Sequence, residues 1–294
     1  MTLGIDLSER VVRLVRLDAA GHVRSRSEVA AEDLAGRVRD AVHHVTDGAS
    51  VAAAAVATPL PGAALPPAVA AALKEAAPKA RIAGVLSAGT ALALAETARL
   101  PPGGARCVIG LAVGEHVSAG LLIDGQPWLG AHGMAGSVGW LALNPVERED
   151  YRRFGGLEAE ISAAGIVRRF VWRAKSGDHS SVVDRLNGDF SRLTTALIFQ
   201  GARAGDGVSI SIVRDTSKYL GMAVANMVSL FDPLAVILGG ATAASGDLML
   251  DPVRVECARR VGPRQAEHLS IDLATLGEDA VAIGAARAAA LRDA

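Results

Sequence analysis

Asn226-Met227-Val228-Ser229-Leu230-Phe231-Asp232-Pro233-Leu234-Ala235-Val236-Ile237-Leu238-Gly239-Gly240 runs from a helix end through a strand to a glycine turn. Helical spacing covers 208–230, and Leu234 to Leu238 is an apolar run of strand length that reads as buried. Gly239-Gly240 then leads into a helix at about 248–260. Helix, buried strand, glycine turn and helix in succession are the pattern of an α/β fold.

Downstream, a strand near 268–273 and a helix at about 280–292 close the chain. Upstream, residues 2–29 read as strands with tight turns, with Val11, Val12, Leu14, Val15 and Leu17 as one apolar run. Leu34, Val38, Ala41, Val42 and Val45 give 32–46 one apolar helical face. A buried strand is expected at 51–57, a helix at 66–77, a strand at 82–86 and an Ala-rich helix at 89–98. Leu100-Pro101-Pro102-Gly103-Gly104 is the linker candidate, so a first domain is expected over 1–102 and a second over 103–280. Beyond the linker the pattern restarts. Strands at 106–113 and 117–123 flank Gly114, Asp124-Gly125 signals a hairpin, and helices are expected over 157–174, 179–186, 190–204 and 208–230. Two strand-rich starts, each followed by helices, suggest a duplicated α/β unit.

At 294 residues the chain can form one large domain or two that share a cleft. Its net charge of −1, without a basic stripe or charge block, argues against nucleic acid and membrane surfaces as partners. Aromatic residues, at 3%, leave few rings for stacking on bases or sugar faces. Cys107 and Cys257 cannot build a disulfide framework and read as buried structural thiols. No leader-like segment precedes the first strand and no apolar run is long enough to span a bilayer, so a cytoplasmic protein is expected.

The order of motifs resembles the ROK branch (repressors, open reading frames, kinases) of the actin-like sugar kinases. Gly4-Ile5-Asp6 resembles the first phosphate motif, and Gly120 through Gly130 the second phosphate hairpin. The helix ending Ala93-Leu94-Ala95-Glu96 resembles the one that follows the family's catalytic Asp. Ala135-Gly136-Ser137-Val138-Gly139-Trp140 resembles the sugar-binding Glu-x-Gly-His segment, and Gly156-Leu157-Glu158-Ala159 the end of the zinc motif. Asn226 through Pro233, Leu238-Gly239-Gly240 and Gly246-Asp247 resemble the adenosine side, and Gly277 through Ala286 the closing segment. The resemblance implies a two-domain α/β fold of the actin-like, ribonuclease H-like sugar kinase type, with an interdomain cleft. It further implies a final helix, 281–294, that returns to the first domain, a homodimer built largely from the second domain, and a small-molecule sugar and ATP with magnesium as ligands. By matching position, Asp6, Gly114, Gly239 and Gly240 are the implied nucleotide-side residues, and Ser87, Ser137, Trp140 and Glu158 stand at sugar-side positions.

The chain departs from the family where the chemistry is done. The family's general base is an Asp within Asn-Asp-x-Asn, which accepts the sugar hydroxyl's proton as the phosphoryl group moves. Here the segment reads Leu86-Ser87-Ala88-Gly89-Thr90, with Ala88 at the base position. The first phosphate loop has become Ser8-Glu9-Arg10 and the second Gly114-Glu115-His116, so two carboxylates face the place of a triphosphate. Ser137 and Trp140 replace the sugar-binding Glu and His. The zinc knuckle has become Tyr151-Arg152-Arg153-Phe154-Gly155-Gly156-Leu157 without a cysteine, so no zinc is expected, and Tyr151, Phe154 and Trp140 can fill that region by packing. The glycine pair has a structural alternative, since Gly-Gly also ends a strand tightly, and Asp6 can be a turn cap.

Three functions fit this pattern. A pseudokinase would keep the fold as a carbohydrate- or nucleotide-binding or regulatory module. A different enzyme would use the old cleft, where Glu9, Arg10, Glu115 and His116 should converge, with His132 as the other cleft-side histidine. A working ATP-dependent sugar kinase would need a base elsewhere, such as Glu158 or Asp6, and loops that tolerate Glu9 and Glu115. Family repressors carry an N-terminal helix-turn-helix, and a chain that opens on its first strand is not expected to bind DNA directly.

Overall fold

The same strand order occurs twice in the chain. β1 (Thr2–Asp6), β2 (Val11–Leu17), β3 (Val23–Ala30), β4 (Ala53–Thr58) and β5 (Arg81–Ser87) form one sheet in the order β3-β2-β1-β4-β5. β6 (Cys107–Val113), β7 (Val117–Ile123), β8 (Gln126–Trp128), β9 (Ala235–Gly239) and β10 (Ser270–Leu273) form the other as β8-β7-β6-β9-β10. In each, an antiparallel meander of three strands is followed by two parallel strands. β1 and β6 therefore hold equivalent central places, and the turns that leave them are equivalent too. The computed structural model describes residues 1–8, 10–31, 34–97, 100, 106–241 and 245–291. Pro101 to Gly104 of the linker candidate, and the end of the final helix beyond 291, lie outside these described residues.

α1 (Leu34–Thr46) and α2 (Pro67–Ala76) cover the first sheet, over a core of Leu3, Ile5, Leu14, Val38, Val42 and Val56. α3 (Ala88–Thr97) follows β5 directly. The second sheet is covered by α4 (Glu149–Phe154), α5 (Glu158–Ile161), α6 (Ala163–Lys175), α7 (Ser181–Arg185), α8 (Thr195–Arg203), α9 (Gly207–Phe231), α10 (Gly246–Ala258) and α11 (Pro263–His268). α12 (Ala280–Ala290) comes last among the described elements.

α3 and α12 form the layer between the sheets. α12 packs on β1, β2, β4 and β5, while α3 packs on β6, β7 and β9, and the two helices pack on each other. Their shared face is built of small residues, with Ala91, Ala95, Ala282, Ala285 and Ala286 all buried. Glycine is required at one point, since a Cβ on Gly284 would lie 1.7 Å from the Ala91 carbonyl oxygen. This is a fold of two α/β units with a cleft between them. No helix of the described residues is long and apolar enough to cross a membrane.

Local structure departs from the sequence expectations in several places, among them the helices α4 and α11, which the sequence pattern does not mark. The helix expected over 157–174 is broken at Ser162, whose backbone is extended and whose hydroxyl accepts the Gly165 N–H to cap α6. The helix expected over 190–204 begins as a 3-10 turn, and Thr194 caps α8 in the same way. Cys107, the first residue of β6, is half-buried, while Cys257 is buried and its thiol is pushed up to about 11 by desolvation.

Candidate functional site: the cleft between the sheets

The turn after β1 and the turn after β6 face each other across a cavity of about 450 Å³. Asp6, Ser8 and Arg10 line one side and Gly114, Glu115 and His116 the other, with Ala88, Gly239 and Gly240 also on the wall. Arg10 Nε lies 3.0 Å from Glu115 Oε1, so an ion pair joins the two units across the mouth. Glu9 lies outside the described residues. A second pair lies on the same wall, where Arg13 donates to Glu278 at 2.6 Å.

Asp6 ends β1 and is 2% exposed. Its carboxylate accepts both the N–H and the hydroxyl of Ser8, which closes an Asx-type turn. Burial pushes the carboxyl up to about 6, and the Ser8 bonds and the charge of Arg13 offset only part of that rise. Asp6 is thus a turn cap and a cleft-wall acid at once.

Ala88 opens α3, is 3% exposed and lines the cleft. The polar groups beside it are engaged with one another. The Ser87 and Thr90 hydroxyls lie 2.9 Å apart, Ser87 donates to the Ala119 carbonyl oxygen, and the Gly89 N–H donates to Ser118. Ser87 is therefore held in the α3–β7 junction. Glu96 serves structure, accepting from the N–H and hydroxyl of Thr275 and the N–H of Leu276 at the turn before α12.

Glu158 opens α5, and its carboxylate is held at the second turn. His116 Nδ1 lies 2.8 Å from Glu158 Oε1, and the Val117 N–H donates to Oε2. The other sugar-side positions lie elsewhere. Ser137 donates to the Met134 carbonyl oxygen at 2.7 Å, and His132 is exposed and not on the cleft wall. Trp140 is 59% exposed and lines a separate recess of about 200 Å³ with Tyr151 and Gly156. The aromatic packing expected of Trp140, Tyr151 and Phe154 is not what forms. Tyr151 turns its hydroxyl to Glu160, and Phe154 stays at the surface beneath the guanidiniums of Arg153 and Arg168, because charged partners are at hand for both. No group of three or more His, Cys, Asp or Glu among the described residues is placed to hold a metal ion.

Packing and backbone conformation call for glycine at Gly240, and close packing favours it at Gly239. A Cβ on Gly239 would lie 2.6 Å from the Leu92 side chain, and Gly240 has φ +85 with Val113 backbone atoms 2.6 Å from where its Cβ would be. The pair brings the end of β9 against α3 and β6.

Comparison with known proteins agrees with this architecture. A family model described as "ROK family" matches residues 86–291. The chain belongs to the ROK family. A glucokinase from Halalkalibacterium halodurans is 31% identical over 186 residues, covering 62% of this chain and 55% of that protein. A xylose repressor from Caldicellulosiruptor bescii is 28% identical over 183 residues, covering 60% and 44%. The matches thus span about half the length of these curated relatives. Among solved structures, a ROK family glucokinase from Streptomyces griseus, in complex with glucose and AMPPNP, superposes with a TM-score of 0.80. It is 24% identical, with 98% of this chain and 99% of that one covered, which shows a shared fold.

Within the ROK fold the sequence pattern left two features unmarked. One is the Arg13–Glu278 pair, which joins residues 265 apart in the chain and has no local signal. The other is Glu160, a buried acid two residues beyond Glu158; an acid placed among apolar neighbours such as Leu157, Ala159 and Ile161 is the signal that could have found it.

Proposed function

We propose that this ROK protein is a pseudokinase that uses its cleft as a carbohydrate- or nucleotide-binding, regulatory module. The observation that carries this reading is Ala88 at the cleft wall, at the start of α3, where the family resemblance puts the general base. A methyl group accepts no proton, and the hydroxyls on either side, Ser87 and Thr90, bond to each other. Two further features support it. Arg10–Glu115 fills the phosphate side of the cleft with an ion pair, and His116 takes the carboxylate of Glu158 on the sugar side. Relatives of both kinds, a glucokinase and a xylose repressor, make a sugar the first ligand class to test. The homodimer and the cytoplasmic location belong to the same proposal; the first rests on the family resemblance and the second on the sequence pattern.

A second function has one observation behind it. Asp6, with its carboxyl near 6, and His116 line the same cavity, a pairing suited to acid–base chemistry on a small ligand. Calorimetry with a hexose panel and with ATP–Mg, run beside phosphorylation assays on the same samples, tests the main proposal. Binding without phosphoryl transfer is the expected result. Turnover of any hexose at ordinary kinase rates, on the order of 1–100 per second, would overturn it.

A further inference from the structure

A second cavity, of about 760 Å³, opens between α6 and α9, and none of its lining residues lines the cleft. Its volume lies in the range of about 300–1,000 Å³ typical of small-molecule sites. Five cationic side chains and three carboxylates line it, and the pairing inside leaves positive charge over. Glu160, 2% exposed, is shared by two guanidiniums, Arg148 at 2.9 Å and Arg169 at 3.3 Å, and also accepts from the Tyr151 hydroxyl. Asp150 is taken by Arg168 at 2.9 Å.

Arg169 is the deepest cation, with its side chain 12% exposed. One of its terminal nitrogens donates to Thr216, and its buried Nε faces Glu160 at 3.3 Å without hydrogen-bond geometry, so the guanidinium is ion-paired but keeps donor capacity toward the cavity. At the rim, Arg173 pairs outward with Asp178, and Lys218 is exposed with no ion pair among the described residues. Apolar side chains lie among these charges on both helices, and α9 also contributes Asp215 and Tyr219. Trp172 is 69% exposed on α6, beside Ile212 and Met222 of α9. Guanidinium forks match carboxylate, sulfonate and phosphate oxygens, and an exposed indole offers a flat apolar surface next to them.

We infer that this cavity is a second ligand site, for a small organic anion: a carboxylate, sulfonate or phosphate ester on a planar or apolar body. The acid group meets Arg169, Arg173 and Lys218, and the body lies against Trp172, within a lining that also includes Ile212 and Met222. An inorganic anion alone would leave most of the cavity and the indole unfilled. The inference stands apart from the pseudokinase proposal, because it uses none of the cleft residues.

The probe is anilinonaphthalene sulfonate, a planar arylsulfonate, with phenylnaphthylamine as its uncharged counterpart, both read by fluorescence titration of the full chain. The sulfonate should bind saturably at one site, and the uncharged dye about tenfold more weakly or less tightly still. Arg173→Ser with Lys218→Ser should weaken the sulfonate by about tenfold or more, and Trp172→Ala should weaken it as well. Arg169 is left intact, since its loss would strand Glu160, whereas the three substituted residues are at the rim. Trp128→Ala should change nothing, because Trp128 belongs to a different exposed apolar patch, against Phe231. Equal binding of both dyes, unchanged sulfonate affinity in the Arg173–Lys218 double variant, or loss of binding in Trp128→Ala would each overturn the inference.

Discussion

His116 and Glu158 are joined across the turn after β6, with Nδ1 2.8 Å from the carboxylate oxygen. The one sugar-side acid that the family resemblance assigns to this chain therefore already has a partner, and any sugar hydroxyl must compete with that imidazole. A hydrogen bond to a charged group contributes about 1.5–3 kcal/mol, enough to set a ligand's affinity by tenfold or more.

Removing the competitor should show this. His116→Ala is expected to tighten hexose binding by about tenfold, and Glu158→Gln to weaken it by a similar factor. Isothermal calorimetry with glucose on both variants checks the pair. Affinity that is the same in wild type and in both variants would remove Glu158 from the site.

Asp6 predicts a pH dependence of stability. Its folded carboxyl stands at about 6 against 3.8 for the ordinary group, so the folded state holds a proton that the unfolded state has lost. The resulting stabilisation is fully present below about pH 4 and is lost as pH rises through about 6. Its size is about 3 kcal/mol at the upper limit. Asp6→Asn keeps an oxygen for the Ser8 bonds and carries no charge. The variant should gain stability at pH 7.5, by up to about 3 kcal/mol, and change little at pH 4. Urea unfolding at the two pH values measures it, and a loss of stability at pH 7.5 would contradict the burial account.

The Glu160–Arg169 pair makes a third prediction. Arg169→Met should cost about 3–5 kcal/mol, because it leaves a carboxylate that is 2% exposed with less compensation. Arg169→Met with Glu160→Leu should recover most of that loss, since two apolar side chains of similar volume replace two charges. Chemical denaturation of wild type, single and double variants gives the coupling directly. A double variant no more stable than the single one would mean that the pair does not act as a unit.

Much of the fold was legible because it is written in local signals. The apolar run Leu234 to Leu238 falls on β9 (Ala235–Gly239), with Gly240 just beyond it, and the Ala-rich run from 88 is α3. The break at Ser162 was missed because apolar residues keep helical spacing on both sides of it, and only the capping preference of serine marks the stop. The site was legible in part. The family resemblance implies that the turns of Arg10 and of Glu115–His116 converge, and the structure puts them on one cavity. What His116 bonds to was not legible, since Glu158 lies 42 residues away and the contact depends on how α5 meets β7. Trp140 carried no signal of exposure, because an aromatic side chain reads as core until its neighbours are known.

The altered phosphate loops should limit nucleotide binding more than the missing base does. Glu115→Thr with His116→Gly removes a carboxylate and reopens backbone approach, so it should strengthen ATP–Mg binding by about tenfold, while Ala88→Asp should not strengthen it. Fluorescent-nucleotide displacement on the two variants compares them. Stronger binding in Ala88→Asp than in the loop variant would reverse this ranking.

The most direct test of the pseudokinase account is ATP-dependent phosphorylation of a hexose panel by wild type and by Ala88→Asp. A general base supplies about 10²–10⁴-fold, and only where donor and acceptor are already held in line. With Glu115 at the phosphate side, paired to Arg10, and His116 on Glu158, restoring a carboxylate at position 88 does not restore that alignment. The account predicts no turnover above background from either protein. Robust turnover by wild type, or by Ala88→Asp alone, would contradict it.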